Sequence, residues 1–164
     1  MAPRYVGRVA WHPFGAQTGF FYTGTMHGKR KLFGIGASVD RQEHFAAYSA
    51  DVFGEWPLPN GATLTAQADY THFDGGRTFL TLPQQHTWMA EGSYTGRSRV
   101  GVYGQVARQD VVATGRPDAA VVQGGVVYWV KGHRRNLKAG LGRTMKTGTT
   151  SHTQLLVQSQ FFVF

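Results

Sequence analysis

The sequence predicts an all-β chain, an antiparallel transmembrane β-barrel with about eight to nine strands present. Three observations predict it. Polar and apolar residues alternate with period two in segments of about ten residues, each bounded by turn residues, the pattern of strands with one apolar face. Glycine is the commonest residue at 22 copies and charged residues make up only 16%, a profile that suits strands and tight turns. Aromatic residues, 13% of the chain, gather near the predicted strand ends on the apolar side. A helical membrane protein is excluded, because the best apolar run, Ala119 to Val130, is interrupted by Gln123, Gly124 and Gly125 and falls short of the roughly 18 residues a spanning helix needs.

Nine strands are expected in order: Tyr5 to Trp11, Lys31 to Asp40, Ala47 to Trp56, Gly61 to Thr71, Gln85 to Thr95, Arg99 to Arg108, Ala120 to Lys131, Asn136 to Thr144 and His152 to Phe164. The alternation is cleanest in the fourth, where Leu64, Ala66, Ala68 and Tyr70 oppose Thr63, Thr65, Gln67, Asp69 and Thr71. Trp88, Ala90, Gly92 and Tyr94 oppose Thr87, Met89, Glu91 and Ser93 in the next, and Val100, Val102, Gly104 and Val106 oppose Arg99, Gly101, Tyr103 and Gln105. In the third strand Tyr48, Ala50, Val52, Gly54 and Trp56 stand against Ser49, Asp51, Phe53 and Glu55. Leu137, Ala139 and Leu141 stand against Asn136, Lys138, Gly140 and Gly142.

Connections are expected to alternate in length. Tight turns at Leu58 to Gly61, Gly96 to Ser98 and Gly132 to Arg135 interleave with longer stretches at Asp40 to Phe45, His72 to Gln84, Arg108 to Asp118 and Met145 to Ser151. Outer-membrane barrels have short periplasmic turns and long external loops. Pro13 to Gly28, long where parity asks for a short turn, breaks the scheme. A soluble β-domain would also alternate, but Trp11, Tyr48, Trp56, Tyr70, Trp88, Tyr94 and Tyr128 occupy apolar-face positions near strand ends, as interfacial girdles do.

Other chemistries find little to work with. There are no cysteines, so disulfides and thiolate metal sites are absent. The histidines at 12, 27, 44, 72, 86, 133 and 152 lack a ligand spacing such as HxxxH, and no metal or cofactor is expected. Gly34-Ile35-Gly36 and Gly140-Leu141-Gly142 lie inside strand patterns with no following helix, unlike dinucleotide loops. With no GxSxG elbow and no acid/base partner for its carboxylates, the chain is not expected to be an enzyme. The net charge of +8 invites nucleic acid, but ten of the 17 basic residues cluster at turns and strand ends, such as Lys29-Arg30-Lys31. They read as rims, and no nucleic-acid partner is expected.

The ending Gln158-Ser159-Gln160-Phe161-Phe162-Val163-Phe164 resembles the signal by which outer-membrane proteins reach the barrel-assembly machinery, with Phe164 as the terminal residue. Four stretches are similar to the C-terminal half of the phosphate-selective porin O and P family: Gly7-Arg8-Val9-Ala10-Trp11-His12-Pro13-Phe14, Phe21-Tyr22-Thr23-Gly24-Thr25 with Gly28-Lys29-Arg30-Lys31, Gln123-Gly124-Gly125-Val126-Val127-Tyr128-Trp129, and the ending itself. The resemblance implies a barrel of about sixteen strands in the outer membrane of a Gram-negative cell. It also implies lipid and the assembly machinery as partners, a homotrimer, and passive diffusion of small hydrophilic or anionic solutes such as phosphate. The terminal pattern departs from the usual one, since Gln158 and Gln160 fall on the parity of the final Phe while Leu155, Val157, Phe161 and Val163 take the other. Either that second set faces lipid or a bulge lies near Phe161-Phe162.

In a large barrel the polar face lines water, which makes Asp51, Glu55, Asp69 and Glu91, with Arg8, Arg99 and Lys138, the pore-lining candidates. Three positive against four negative residues do not make this half of the wall anion-selective. A barrel of eight or nine strands is filled by its own side chains, whereas open channels need about 16 to 18 strands. The odd strand count and the run of Met1-Ala2-Pro3-Arg4-Tyr5 straight into strand-like sequence therefore lead to the expectation of a porin fragment. The alternatives are a small self-contained barrel acting as anchor or adhesin, and a soluble β-barrel binding protein.

Overall fold

The computed structural model describes residues 2–14, 26–112, 116–133 and 135–161. In chain order the strands are β1 (Arg4–Trp11), β2 (Leu32–Gln42), β3 (Phe45–Pro57), β4 (Thr63–Asp74), β5 (Gln85–Thr95), β6 (Val100–Val111), β7 (Ala119–Tyr128), the short β8 (Val130–His133), β9 (Arg135–Lys146) and β10 (His152–Phe161). All except β8 form one nine-stranded sheet in the order β1-β2-β3-β4-β5-β6-β7-β9-β10. Every neighbouring pair is antiparallel, and no helix occurs among the described residues. The fold is all-β, as expected. Among the described residues the sheet is open: β1 pairs only with β2 and β10 only with β9.

Strand ends and connections differ from expectation in several places, among them the turn expected at Gly132 to Arg135, where Gly132 and His133 belong to β8 and Arg135 opens β9. The stretch from Asp40 to Phe45, expected to be a longer loop, is a two-residue hairpin of Glu43 and His44, because β2 continues to Gln42 and pairs it with Phe45. Glu43 takes a φ of 51°, the left-handed conformation that tight hairpins require. The segment from Ala120 to Lys131 is interrupted at Trp129, whose N–H donates to the Arg99 carbonyl at 2.9 Å. Arg99 itself is no strand residue; β6 begins at Val100 and Arg99 sits in the turn with a φ of 65°. At the other end of the chain, β10 pairs without a break as far as Phe161 opposite Arg135. Leu155 and Val157 stand opposite Leu141 and Ala139, so the second set of residues shares the apolar face. Phe162, Val163 and Phe164, including the expected assembly signal, lie outside the described residues, as does most of the long connection after Pro13.

The register propagates each strand's alternation across the sheet. Leu64 stands beside Trp56 and Tyr94, Tyr94 beside Val102, and Val102 beside Val126. On the opposite face Gln67 meets Glu91, Glu91 meets Gln105, and Gln105 meets Gln123. One-residue slips would mix the two faces, so the shared pattern itself fixes the pairing.

Burial runs opposite to that of a water-soluble sheet. Val102 is 54% exposed, Val126 50%, Leu141 61% and Val157 76%, all on the apolar face. The buried strand side chains, Leu32, Phe45, Glu55, Thr63, Gln85, Thr95, Tyr103, Val127 and Asn136, all lie on the polar one. Among the described residues these side chains are shielded by one another and, at the two ends of the face, by the connections that fold over Glu55 and Phe45.

Candidate functional site

The polar face is knitted together by side chains that meet across strands. Ser38 and Ser49 hydroxyls lie 2.5 Å apart, and Thr65 and Ser93 hydroxyls 2.6 Å. The Gln109 amide donates to the Gln85 side-chain carbonyl at 2.5 Å, Gln123 donates to Gln105, and Asn136 donates to Gln160 at 2.8 Å. Such pairs satisfy polar groups that have lost part of their water, and each contributes a few tenths of a kcal/mol up to about 1 kcal/mol.

Of the seven candidate residues, five share the open part of this face. Arg8 on β1 reaches over β2 and binds both carboxylate oxygens of Asp51 on β3, at 2.6 and 2.8 Å. Gly36 lies between them, and a Cβ there would meet both side chains. Asp51 is the direct neighbour of Asp69 on β4, so the Arg8 charge offsets the repulsion of two adjacent carboxylates. Glu91 lies between Gln67 and Gln105. Lys138 on β9 places its ammonium 3.7 Å from the centre of the Tyr103 ring, a cation–π geometry.

Glu55 and Arg99 behave differently. Glu55 is 0% exposed; its two carboxylate oxygens accept the N–H groups of Met26 at 2.7 Å and Gly28 at 2.8 Å. It holds the end of the β1–β2 connection against the polar face and does not line water. The sequence placed Glu55 on the correct face, but nothing in the alternation indicates that a distant segment covers it. Arg99 points its guanidinium at the Val130 carbonyl, 3.1 Å away, and serves the turn.

The Glu55 clasp carries the connection across the sheet. Gly28 packs on Thr63 of β4, and the His27 ring meets Trp129 edge-on with centroids 4.8 Å apart. Four strand spacings of about 4.8 Å separate β3 from β7 along the sheet. The contact therefore requires the sheet to bend toward its polar face at this end, with two long aromatic side chains covering the remaining distance. At the opposite end the β4–β5 connection does something similar. Phe79 packs edge-on against Phe45 at 5.0 Å, and the Thr78 hydroxyl accepts the His44 N–H at 3.2 Å.

The alternation alone does not single out Tyr103, a further residue of this face. It is the cross-strand partner of Gly125, and its hydroxyl approaches Gly140, where a Cβ would come within 2.5 Å of it. The signal was present, since Tyr103 is the one aromatic residue on the polar face of β6 and faces glycines on both following strands. Among the described residues no group of three or more His, Cys, Asp or Glu side chains is placed to hold a metal. What the face offers instead is a row of half-exposed polar groups of both signs, suited to contact with water and small solutes. No family model matches this chain, and no curated protein and no solved structure matches it.

Proposed function

We propose that this sheet is part of a larger outer-membrane β-barrel whose polar face lines a water-filled channel. The chain then acts as a segment of a porin, the C-terminal half of one of the phosphate-selective O and P type. One observation carries the reading: the apolar face is exposed across the width of the sheet while the polar face is shielded. In water that arrangement would expose several adjoining rows of Val, Leu, Tyr and Trp, far more apolar surface than soluble monomers leave uncovered. In lipid it is the favourable arrangement, because the outer face of such barrels is apolar and flanked by aromatic girdles.

Two further features support it. Trp11, Trp56, Tyr94 and Tyr128 stand at one end of the apolar face and Tyr5, Tyr48, Tyr70 and Trp88 at the other, with Ala50, Ala66, Ala68, Ala90 and Val106 between. Among the described residues β1 and β10 are the outer strands of the sheet; hydrocarbon does not tolerate an open sheet edge, and further strands of the same barrel would pair both. Transport would be passive, set by width and wall charge, with no cofactor and no covalent step. The wall favours small hydrophilic solutes in general. Selectivity for anions such as phosphate, assembly as a homotrimer, and the role of Phe164 in delivery to the assembly machinery rest on the family resemblance.

Planar-bilayer recordings of the assembled channel test this. Asp69→Lys should shift the reversal potential toward anions while leaving insertion intact. Ala68→Lys, on the opposite face, should impair insertion, because a lysine at mid-bilayer costs about 2–4 kcal/mol. Absence of any stable conductance, or the reverse pattern for the two variants, would overturn the reading.

A further inference from the structure

We propose that His72 and His86 form a binding site for a divalent transition-metal ion of zinc type, on the apolar face at the hairpin end of β4 and β5. The two residues are direct cross-strand partners although 14 positions apart in sequence, a spacing no helical or loop motif would flag. Their Nδ1 atoms are 3.3 Å apart and the ring centroids 4.7 Å apart.

That separation is what a metal needs. Zinc–imidazole bonds are about 2.0–2.1 Å long, so two nitrogens at a tetrahedral angle stand about 3.3 Å from each other. In the absence of an ion the two nitrogens are hydrogen-bond partners, so an ion held between them would replace the proton they share, with both rings protonated at Nε2 instead. Square-planar coordination would instead bring them to about 2.9 Å, so the pair suits zinc better than a metal that enforces a right angle. Both histidines are half-buried, which leaves room for water or an added ligand in the remaining positions. The rings are also held in place before any ion arrives. Tyr48 stacks on His72 with centroids 6.3 Å apart and planes 20° apart, and Tyr70 stacks on His86 at 6.0 Å and 24°.

Two neighbours bear on affinity. The Tyr70 hydroxyl is 2.6 Å from the same His86 Nδ1 and competes for its lone pair. Asp110, the cross-strand neighbour of His86, is engaged by the Arg108 guanidinium at 2.5 Å and is not required as a ligand. Occupancy would clip β4 to β5 at the edge of the apolar band. The site requires only the β4–β5 pairing and not a channel.

The test is cobalt and zinc titration of the full chain folded in detergent micelles. Tetrahedral cobalt should give strong visible absorption with one ion per chain, lost on adding zinc. His72→Gln and His86→Gln should each weaken binding by more than about tenfold, the smallest effect expected even for an outer-shell partner. His152→Gln, an exposed histidine outside the pair, should leave it unchanged. Tyr70→Phe removes the competing hydroxyl and should tighten binding about threefold, the scale of one hydrogen bond. Since Tyr70→Phe gains function, a folding defect cannot imitate it. Wild-type binding no tighter than that of the His72→Gln, His86→Gln double variant, or binding abolished by His152→Gln, would overturn the proposal.

Discussion

Arg8 and Asp51 sit on strands that are not neighbours in the sheet, yet they form a two-pronged ion pair across the intervening Gly36, at 2.6 and 2.8 Å. The pair exists because β2 presents no side chain at that point. Gly36→Ala should destabilise the fold by about 1–3 kcal/mol, the range for forcing an atom into an occupied space. Urea unfolding in micelles, followed by tryptophan fluorescence, measures this. A neutral Gly36→Ala would mean that the guanidinium moves aside at no cost.

Glu55 makes a similar cross-chain tie with backbone partners. Replacing its carboxylate by an amide turns one acceptor into a donor facing an N–H group, a loss of about 1.5–3 kcal/mol for a bond to a charged group. Glu55→Gln should therefore release the segment at Met26 to Gly28 and speed tryptic cleavage at the exposed Lys29 and Arg30. Glu91→Gln, on the same face without such a role, should leave cleavage unchanged. Equal rates for the two variants would contradict the assigned clasp.

The sequence made the two faces legible because strand alternation has a strict period of two, and a single apolar face repeated over many strands leaves one consistent register. Leu64, Ala66, Ala68 and Tyr70, like Asp51, Asp69, Glu91 and Lys138, stand where the alternation placed them. What it hid depends on contacts between distant segments. The burial of Glu55 needs the β1–β2 connection to fold back, and the His72–His86 pairing needs the β4–β5 register. Arg99 shares the parity of the polar face, but a turn with positive φ removes it from the strand, and parity does not report φ. The two-residue hairpin at Glu43-His44 escaped because it lacks the Asn-Gly or Asp-Gly pair that usually marks one.

Two glycines provide a contrast that separates the faces. A Cβ at Gly104, on the apolar face, meets nothing within 4 Å, whereas one at Gly140 meets the Tyr103 hydroxyl at 2.5 Å and the Gly124 carbonyl at 2.6 Å. Gly104→Ala should be neutral or stabilising by up to about 1 kcal/mol, through the reduced freedom of the unfolded chain. Gly140→Ala should cost about 1–3 kcal/mol, since a backbone oxygen cannot move aside cheaply. Unfolding midpoints of the two variants check this, and similar values would show that the polar face is not crowded.

The absence of cysteines makes the sidedness of the sheet in a membrane directly measurable. Single cysteines at Ala68, Val102 and Val126 on one face, and at Asp69, Gln105 and Gln123 on the other, would be introduced into the chain assembled in lipid vesicles. Each would then be exposed to a charged, water-soluble thiol reagent. A lipid-facing apolar side predicts rapid modification at Asp69, Gln105 and Gln123 and protection at Ala68, Val102 and Val126. Rapid modification of the second group with protection of the first, or equal reactivity at all six, would contradict it.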